Sequence, residues 1–259
     1  MEYEQIQNRR KSILSLLKTN SILTVEDVCS QLKITDSTAR RDIKWLEERH
    51  LIRRFHGGIS AIKDQYDVFD IRNKTNLEWK KKIGETAARM VCSSDIVFIG
   101  GGSTMFQFSL ALLQRSDLKD VLIVTAAFNV AALFAEKSRF DTIILGGNLK
   151  KIDETIASKM TIENAKTLNY TKMFNGAMGV SAEAGITQPT ADLAELERTV
   201  ASRSAQNYIL ADHTKFSTVG PYTTYAIDQV NMVITDRHRD VDGVLKQYEK
   251  YREKIEQVG

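Results

Sequence analysis

Three segments near the amino terminus carry apolar residues at helical spacing, which predicts three helices. The first helix is expected over residues 4–18. The second follows Thr24, which forms a capping-box pattern with Asp27, and the third follows Thr35, whose hydroxyl can cap an amide of the first turn. The apolar stripes consist of Ile6, Ile13, Leu14 and Leu17; of Val25, Val28 and Leu32; and of Ala39, Ile43 and Leu46. Because only a short turn joins the last two helices, the pattern is typical of a helix-turn-helix.

The third helix has a polar start and a basic outer face, and a second basic segment follows it. In residues 51–59, apolar residues flank Arg53 and Arg54 and two glycines follow, which predicts a β wing beside a phosphate backbone. A helix that reads the DNA major groove needs this kind of face. The predicted DNA-binding residues are Thr35, Asp36, Ser37, Thr38, Arg40, Arg41, Lys44, Arg53, Arg54 and His56.

A solvated basic surface is the alternative interpretation of these arginines. Two arginine pairs on adjacent elements favour double-stranded DNA as the partner. Asp36 is expected to favour the helix amino terminus, and Asp42 can orient a neighbouring arginine. The charge distribution also favours DNA as the partner. Residues 1–82 hold 17 Lys+Arg and 12 Asp+Glu, a net charge of +5, whereas residues 83–259 hold 19 Lys+Arg and 21 Asp+Glu, a net charge of −2. The positive charge therefore lies in the part predicted to bind DNA.

The rest of the chain alternates strand-length apolar runs with helical patterns, which predicts a mainly parallel α/β sheet. The expected strands are residues 95–99, 121–125, 141–145, 172–175, 208–211 and 230–235, and the expected helices include 103–114, 129–137 and 192–205, with an earlier one around Ile83 and Ala87. Residues 60–78 are polar and lack sustained periodicity, so they are expected to be a linker ordered in part by Tyr66, Phe69 and Ile71. The predicted domains are 1–60 for DNA binding, 61–78 as the linker and 79–259 as the α/β domain.

Parallel sheets bind ligands at the carboxyl ends of their strands, where this chain carries unusual residues. Gly100–Thr104 follows a strand and opens a helix, so its glycines allow close approach to an anion and its amides meet the positive end of the helix dipole. A plain strand-to-helix turn is the alternative. Lys215 follows another strand end, although Asp212–Phe216 could also be a simple turn. The loop is neither a P-loop nor a dinucleotide fingerprint.

The predicted effector-binding residues lie mostly at these strand ends. They are Gly100, Gly101, Gly102, Ser103, Thr104, Thr125, Gly146, Gly147, Asn175, Gly176, Glu195 and Lys215. Glu195 could reach sugar hydroxyls or could act only on the helix dipole.

Cysteine and histidine usage predicts no metal site, and we expect no cofactor. Cys29 and Cys92 are too few for a disulfide framework, and each is expected to be a small buried hydrophobe in a reducing cytosol. The four histidines show no ligand spacing. The first ten residues lack the apolar core of a signal peptide, and no apolar run approaches the length of a membrane span. We therefore expect a cytoplasmic protein with no membrane partner.

The chain resembles the DeoR family of bacterial transcriptional regulators over essentially all of residues 5–236. The most specific matches are residues 35–43, TDSTARRDI, and residues 51–58, LIRRFHGG. In the second domain, the family landmarks match at residues 102–104, 146–147, 174–177 and 212–216. The resemblance implies a winged helix-turn-helix, and a sensor domain that shares its fold with ribose-5-phosphate isomerases and CoA transferases. It also implies a phosphorylated sugar or sugar acid as effector, bound by the Gly-Ser-Thr loop and Lys215.

This sequence departs from the family pattern at two positions. Gly100 stands where the family often has Asp, and Ala126 stands where it often has Asn. Both changes remove polar groups expected to contact the sugar, while the phosphate loop is kept.

An isomerase is the alternative function, because Gly100–Thr104 also resembles the phosphate loop of those enzymes. Their acidic run would fall on residues 175–179, where Asn, Met and Gly replace its three acids. Without a carboxylate base, binding can persist while turnover is lost, so we expect no enzyme activity. An architectural DNA protein without a ligand is a third possibility, which the glycine loop disfavours. The expected mechanism is a dimer or tetramer on a repeated operator, with repression relieved by the effector.

Overall fold

The computed structural model describes residues 2–20, 22–49, 51–55, 58–61, 67–150, 155–237 and 246–259. The chain forms two compact units, Met1–Ile71 and Arg72–Gly259, and each contains its own hydrophobic core. No helix among the described residues is long and apolar enough to cross a membrane.

The amino-terminal unit is the winged helix-turn-helix that the sequence predicts. Its helices are α1 (Glu2–Thr19), α2 (Val25–Leu32) and α3 (Asp36–Glu48), and its strands are β1 (Ile22–Leu23), β2 (Ile52–Phe55) and β3 (Gly58–Ala61). The strands form an antiparallel sheet in the order β1-β3-β2. The predicted apolar stripes meet in one core, whose fully buried members include Ile13, Val28, Ala39, Ile43 and Leu46.

Local sequence explains where the helices of this unit begin and turn. The Thr24 amide donates to Asp27 Oδ2 at 2.8 Å and the Asp27 amide donates to Thr24 Oγ1 at 3.0 Å, which completes the predicted capping box before α2. Lys33 adopts a left-handed conformation with φ 51°, so the chain reverses before α3. At Gly58 a Cβ atom would lie 2.7 Å from the Leu23 carbonyl oxygen, so the approach of β1 to β3 requires glycine.

The segment predicted as a linker contains a helix, α4 (Asp67–Lys74), and the two units divide within it. Phe69 is buried, as expected of a docking residue, whereas Tyr66 lies outside the described residues. The segment lacks apolar periodicity, so the sequence carried little signal for this short helix, whose last turn carries the cations Arg72 and Lys74.

The carboxyl-terminal unit is built on a seven-stranded sheet in which every neighbouring pair is parallel. The strand order is β15-β14-β12-β9-β4-β5-β6. Its members are β4 (Ile96–Ile99), β5 (Leu122–Thr125), β6 (Asp141–Ile144), β9 (Tyr170–Asn175), β12 (Ser204–Leu210), β14 (Met232–Asp236) and β15 (Ile255–Val258). All six predicted strands are therefore confirmed, and β15 was not predicted.

Helices cover this sheet: α5 (Leu77–Ala88), α6 (Ser103–Leu113), α7 (Phe128–Lys137), α8 (Lys159–Lys166) and α9 (Ala191–Ala201). Successive residues of the central strands belong to two different apolar clusters. Phe98, Met173 and Ile209 lie in one, whereas Val97, Phe174 and Leu210 lie in the other. Since strand side chains alternate, the sheet has a core on each face, as expected of a parallel α/β sheet.

Sequence reasoning missed the smaller sheets of this unit. Strands β10 (Gly179–Ser181), β11 (Gly185–Gln188) and β13 (Tyr222–Tyr225) form an antiparallel sheet, and β7 (Leu149–Lys150) pairs with β8 (Thr155–Ile156). They are short and have no clear alternation, so periodicity carries little signal for them.

Two further predictions were wrong in detail. The helix expected over 192–205 ends at Ala201, because Ser202 caps it and β12 begins at Ser204. Cys92 is exposed rather than buried, since it lies in the turn between α5 and β4. Cys29 is partly buried against the core of the amino-terminal unit, as expected.

Candidate DNA interface and effector site

The outer face of α3 is formed by Ser37, Arg41 and Lys44, which are all exposed. Ala39, Ile43 and Leu46 are buried on the opposite face. With about 100° of rotation per residue, these three polar residues lie nearly opposite the buried stripe, whereas Arg40 lies at its flank. The helix therefore presents two cations and a hydroxyl together on the side away from its core.

The start of α3 is arranged by its own side chains. Thr35 is the N-cap, and its Oγ1 accepts from the Thr38 amide at 3.4 Å. Asp36 lies in the first turn and forms an exposed ion pair with Arg40 one turn later. Exposed pairs of this kind contribute little to stability, so Arg40 remains able to exchange Asp36 for a phosphate.

Asp42 has an internal role. It is 1% exposed, and its carboxylate accepts hydrogen bonds from the guanidinium groups of Arg9 and Arg10 on α1. The aspartate of the Arg-Arg-Asp run thus fixes α3 against α1, which confirms that it orients neighbouring arginines.

The wing is the hairpin of β2 and β3. Arg54 on β2 is exposed, so it is available to a phosphate. Arg53 lies on the same strand, and β2 pairs with β3 through Phe55 opposite Gly58. His56, also predicted to bind DNA, lies outside the described residues.

In the carboxyl-terminal unit, a cavity of about 320 Å³ lies at the carboxyl ends of the central strands. Six predicted effector residues line it: Gly101, Gly102, Ser103, Thr104, Gly176 and Lys215. The other lining residues are Arg72, Met105, Thr155, Ala177, Met178, Gln188, Pro189, Leu193, Glu197 and Leu210. Its size is near the lower end of the roughly 300–1,000 Å³ typical of small-molecule sites.

The glycine loop opens one wall of this cavity. Gly102 is the N-cap of α6. Its φ of +108° is a backbone conformation that residues with L side chains rarely adopt. At Gly101 a Cβ atom would lie 2.8 Å from Thr155 Oγ1. Ser103 and Thr104 begin the helix, so its positive end and its first amides meet the cavity.

Lys215 reaches the cavity from a short 3₁₀ turn, His213–Lys215. Asp212 caps this turn by accepting from the Thr214 amide at 3.0 Å. Asp236 Oδ1 accepts from the His213 amide at 2.8 Å, which fastens the turn to the end of β14. Both of the alternatives that the sequence left open are therefore present: Asp212 does cap a turn, and the turn directs Lys215 to the cavity.

Two more cations belong to this region and were missed from sequence. Arg72 lines the cavity, although it lies in the segment predicted as a linker. Lys80 is 4% exposed; its Nζ donates to the carbonyl oxygens of Arg72 and Thr75 and lies 3.8 Å from Asp212 Oδ2. Burial lowers the pKa of Lys80 to about 8. The sequence did contain a sign of this burial. Lys80 precedes Ile83 by three residues and Ala87 by seven, so helical spacing places it on the buried stripe of α5.

Glu195 is exposed on α9 and lies outside the residues that line the cavity. Glu197 lines the cavity instead and is 2% exposed. Residues two apart on a helix point in nearly opposite directions, so the side of α9 that faces the cavity excludes Glu195 when it includes Glu197. Gln188 Nε2 donates to Glu197 Oε1 at 2.7 Å, to Oε2 at 2.9 Å and to the Gly176 carbonyl oxygen at 3.0 Å.

The remaining predicted residues do not line the cavity, and several have clear structural contacts. Thr125 is fully buried; its hydroxyl donates to the Ile99 carbonyl oxygen at 2.7 Å and accepts from the Ala127 amide at 3.0 Å. Gly100 leaves no room for a side chain, since a Cβ atom would meet Asn175 Oδ1. Gly147 has φ +147° and packs against Ser158 and Thr161. Gly146 borders Asn164.

Burial raises the pKa of Glu197 to about 8. The folded state therefore keeps a proton that the unfolded chain loses near its ordinary value of 4.5, so the free energy of unfolding should fall as pH rises from about 4.5 to about 8. We predict that Glu197→Gln removes this pH dependence. At pH 9 its free energy of unfolding should exceed that of the unmodified protein by up to a few kcal/mol, because each unit of pKa shift corresponds to about 1.4 kcal/mol. Urea unfolding at pH 5 and pH 9 measures it, and an equal difference between the two proteins at both pH values would contradict it.

Known protein families match the sequences of both units. A profile of the DeoR C terminal sensor domain matches residues 75–237, and one of the DeoR-like helix-turn-helix domain matches residues 9–65. The HTH-type transcriptional repressor GlcR of Bacillus subtilis (strain 168) is 29% identical over 233 residues, covering 89% of this chain and 88% of that protein. The lactose phosphotransferase system repressor of Lactococcus lactis subsp. lactis is 28% identical over 233 residues, covering 89% and 91%.

Among solved structures, ribose 5-phosphate isomerase A from Methanocaldococcus jannaschii is similar with a TM-score of 0.42 and 18% identity, covering 55% of each chain. A likeness of this size carries no argument about function. The sensor-domain profile alone spans more than half of the chain, and the helix-turn-helix profile covers the unit whose geometry suits a major groove. The chain therefore belongs to the DeoR family and is a DNA-binding transcriptional regulator.

Proposed function

We propose that this regulator represses a carbohydrate-utilisation operon and releases its operator when a small phosphorylated sugar binds in the cavity of the carboxyl-terminal unit. One observation carries the proposal: the amino terminus of α6 and the cations Arg72 and Lys215 line the same cavity. A helix terminus and two cations together suit a phosphate group, because the dipole and the charges act in the same direction.

The sign of the response and the type of operon are supported by the relatives. Both curated relatives described above are named repressors, and one is named for the lactose phosphotransferase system. Repression relieved by a phosphorylated sugar would couple the regulated genes to the arrival of their substrate.

The DNA interface is proposed to comprise the polar start of α3, its outer face and the wing. Ser37, Arg41 and Lys44 would face base edges and neighbouring phosphates in the major groove, while Arg54 would contact a phosphate beside it. A homodimer or homotetramer would place two or more such helices on a repeated operator, in the cytoplasm.

An isomerase remains the alternative, and one observation bears on it. Glu197 is a carboxyl group in the cavity, which is the type of group that moves a proton between adjacent carbons. Asn175, Met178 and Gly179 occupy the positions where the isomerase run has its acids, so the site offers Glu197 without those partners. Incubation with pentose and hexose phosphates should give no aldose–ketose conversion, and measurable turnover would overturn the proposal.

A thermal-shift screen tests the proposed effector class. Phosphorylated sugars and the same sugars without phosphate are compared, because a ligand that binds only the folded state stabilises it by about 2.7 kcal/mol at 100 times its dissociation constant. We expect at least one phosphorylated sugar to raise the melting temperature and its unphosphorylated partner to have no effect. Equal shifts within each pair would show that the cavity does not recognise phosphate.

A further inference from the structure

The cavity contains a second polar region, formed by Gln188 and Glu197. Both side chains are buried, at 5% and 2% exposure, and both line the cavity. Gln188 also donates to the Gly176 carbonyl oxygen, so it fixes the carboxyl group of α9 against the end of β9. Burying a carboxyl is costly unless it is hydrogen-bonded, and Gln188 donates to both of its oxygens, so the two side chains are held together at the cavity wall.

This region is electrostatically distinct from the cationic one. The fields of Asp212, Lys215 and Arg72 act on Lys80, whereas the field of Arg198, an exposed residue of α9, acts on Glu197. The cavity lining also includes the apolar or small residues Ala177, Met178 and Leu193. Because Glu197 is only 2% exposed, its burial disfavours negative charge there, while the cationic region favours it.

A further amide lies beside the pair. Asn175, at the end of β9, is 2% exposed, and its side chain lies within hydrogen-bonding range of the Glu197 carboxyl. It directly precedes Gly176, which lines the cavity. Asn175 and Gln188 therefore fix the Glu197 carboxyl at the cavity wall, where it can meet a ligand.

We propose that Glu197 and Gln188 determine effector specificity, and that they select an effector whose end distant from the phosphate is an uncharged polyhydroxyl group. Such an effector is a sugar phosphate or polyol phosphate, rather than a sugar-acid phosphate or a bisphosphate. A hydroxyl can both donate to and accept from the protonated carboxyl, whereas a second anion would be buried in the region that already disfavours one. This assignment rests on the proposed function, since it names the chemical class of that effector.

The test uses the full chain and matched ligands. Triose, tetrose, pentose and hexose phosphates are each compared with the phosphorylated sugar acid of the same carbon skeleton, and inorganic phosphate is measured alongside, by calorimetry at neutral pH. We expect the sugar phosphate that binds best to exceed its acid partner in affinity by about tenfold or more, because buried polar groups discriminate strongly against a mismatched ligand.

Three variants separate recognition from folding. Glu197→Leu should lower the affinity for the sugar phosphate by about tenfold or more and leave the affinity for inorganic phosphate unchanged, because only the hydroxyl contacts are lost. Glu197→Gln should restore most of the affinity, since its amide still offers a donor and an acceptor. Glu136→Leu, which changes an exposed glutamate on α7, is the matched control and should change neither affinity.

Two results would overturn the assignment. Acid partners that bind as well as the sugar phosphates would show that Glu197 and Gln188 do not select against charge. A Glu197→Leu protein that keeps full sugar-phosphate affinity would show that they do not contact the ligand. If no phosphorylated compound binds, the proposed function itself fails, and this assignment fails with it.

Discussion

Lys215→Ala is expected to abolish the release of operator DNA by phosphorylated sugar while leaving operator affinity without effector unchanged. Lys215 lines the cavity, and its turn is held by the caps of Asp212 and Asp236, so truncation removes a charge without removing the turn. A charge-assisted hydrogen bond to phosphate contributes about 1.5–3 kcal/mol. That loss weakens effector binding about tenfold to a hundredfold, so the site stays largely empty at effector concentrations near the dissociation constant of the unmodified protein.

The control for this variant is Lys119→Ala. Lys119 is exposed and precedes β5, at the amino end of the sheet and therefore away from the cavity at the carboxyl ends. Fluorescence anisotropy on operator DNA, titrated with the phosphorylated sugar found in the thermal-shift screen, measures both variants. An undiminished response in Lys215→Ala would place the phosphate elsewhere.

The second large effect is expected for Arg41→Ala, which should lower operator affinity by about 1–3 kcal/mol. Arg41 is exposed in the centre of the outer face of α3 and forms none of the ion pairs seen among the described residues. Truncation should therefore leave the folded unit intact, which circular dichroism can verify.

Arg41→Lys distinguishes the two kinds of contact that Arg41 could make. If Arg41 contacts a phosphate, lysine keeps the charge and most of the affinity; if it reads a base through two hydrogen bonds, lysine keeps only nonspecific binding. Binding to operator and to random DNA at physiological salt separates these outcomes. Wild-type affinity in Arg41→Ala would contradict the assignment of α3 as the recognition helix.

The sequence predicted those parts of the molecule in which local patterns are strong. The caps at Thr24 and Thr35, the stripes of α2 and α3 and the six strands all depend on residues close in sequence, so periodicity and capping were sufficient. Gly101–Thr104 and Lys215 were found because strand ends in a parallel sheet meet at one edge.

The rest depends on contacts between distant segments. Arg72 and Lys80 join the site because α4 and α5 bring them beside the turn at Asp212, and a polar segment without periodicity gave no sign of this. Glu197 rather than Glu195 faces the cavity because the rotation of α9 is set by its packing, with Leu196 and Val200 buried in the core. A shift of two residues along a helix reverses the direction of a side chain, so a candidate chosen by position alone can fall on the wrong face.

The most direct test is to measure the coupling between effector and operator in both directions. The operator dissociation constant is determined with and without saturating phosphorylated sugar, and the sugar dissociation constant with and without operator. The account predicts that sugar weakens operator binding and that operator weakens sugar binding by the same factor, typically equivalent to about 1–3 kcal/mol. A sugar phosphate that binds the cavity tightly but leaves operator affinity unchanged would contradict it.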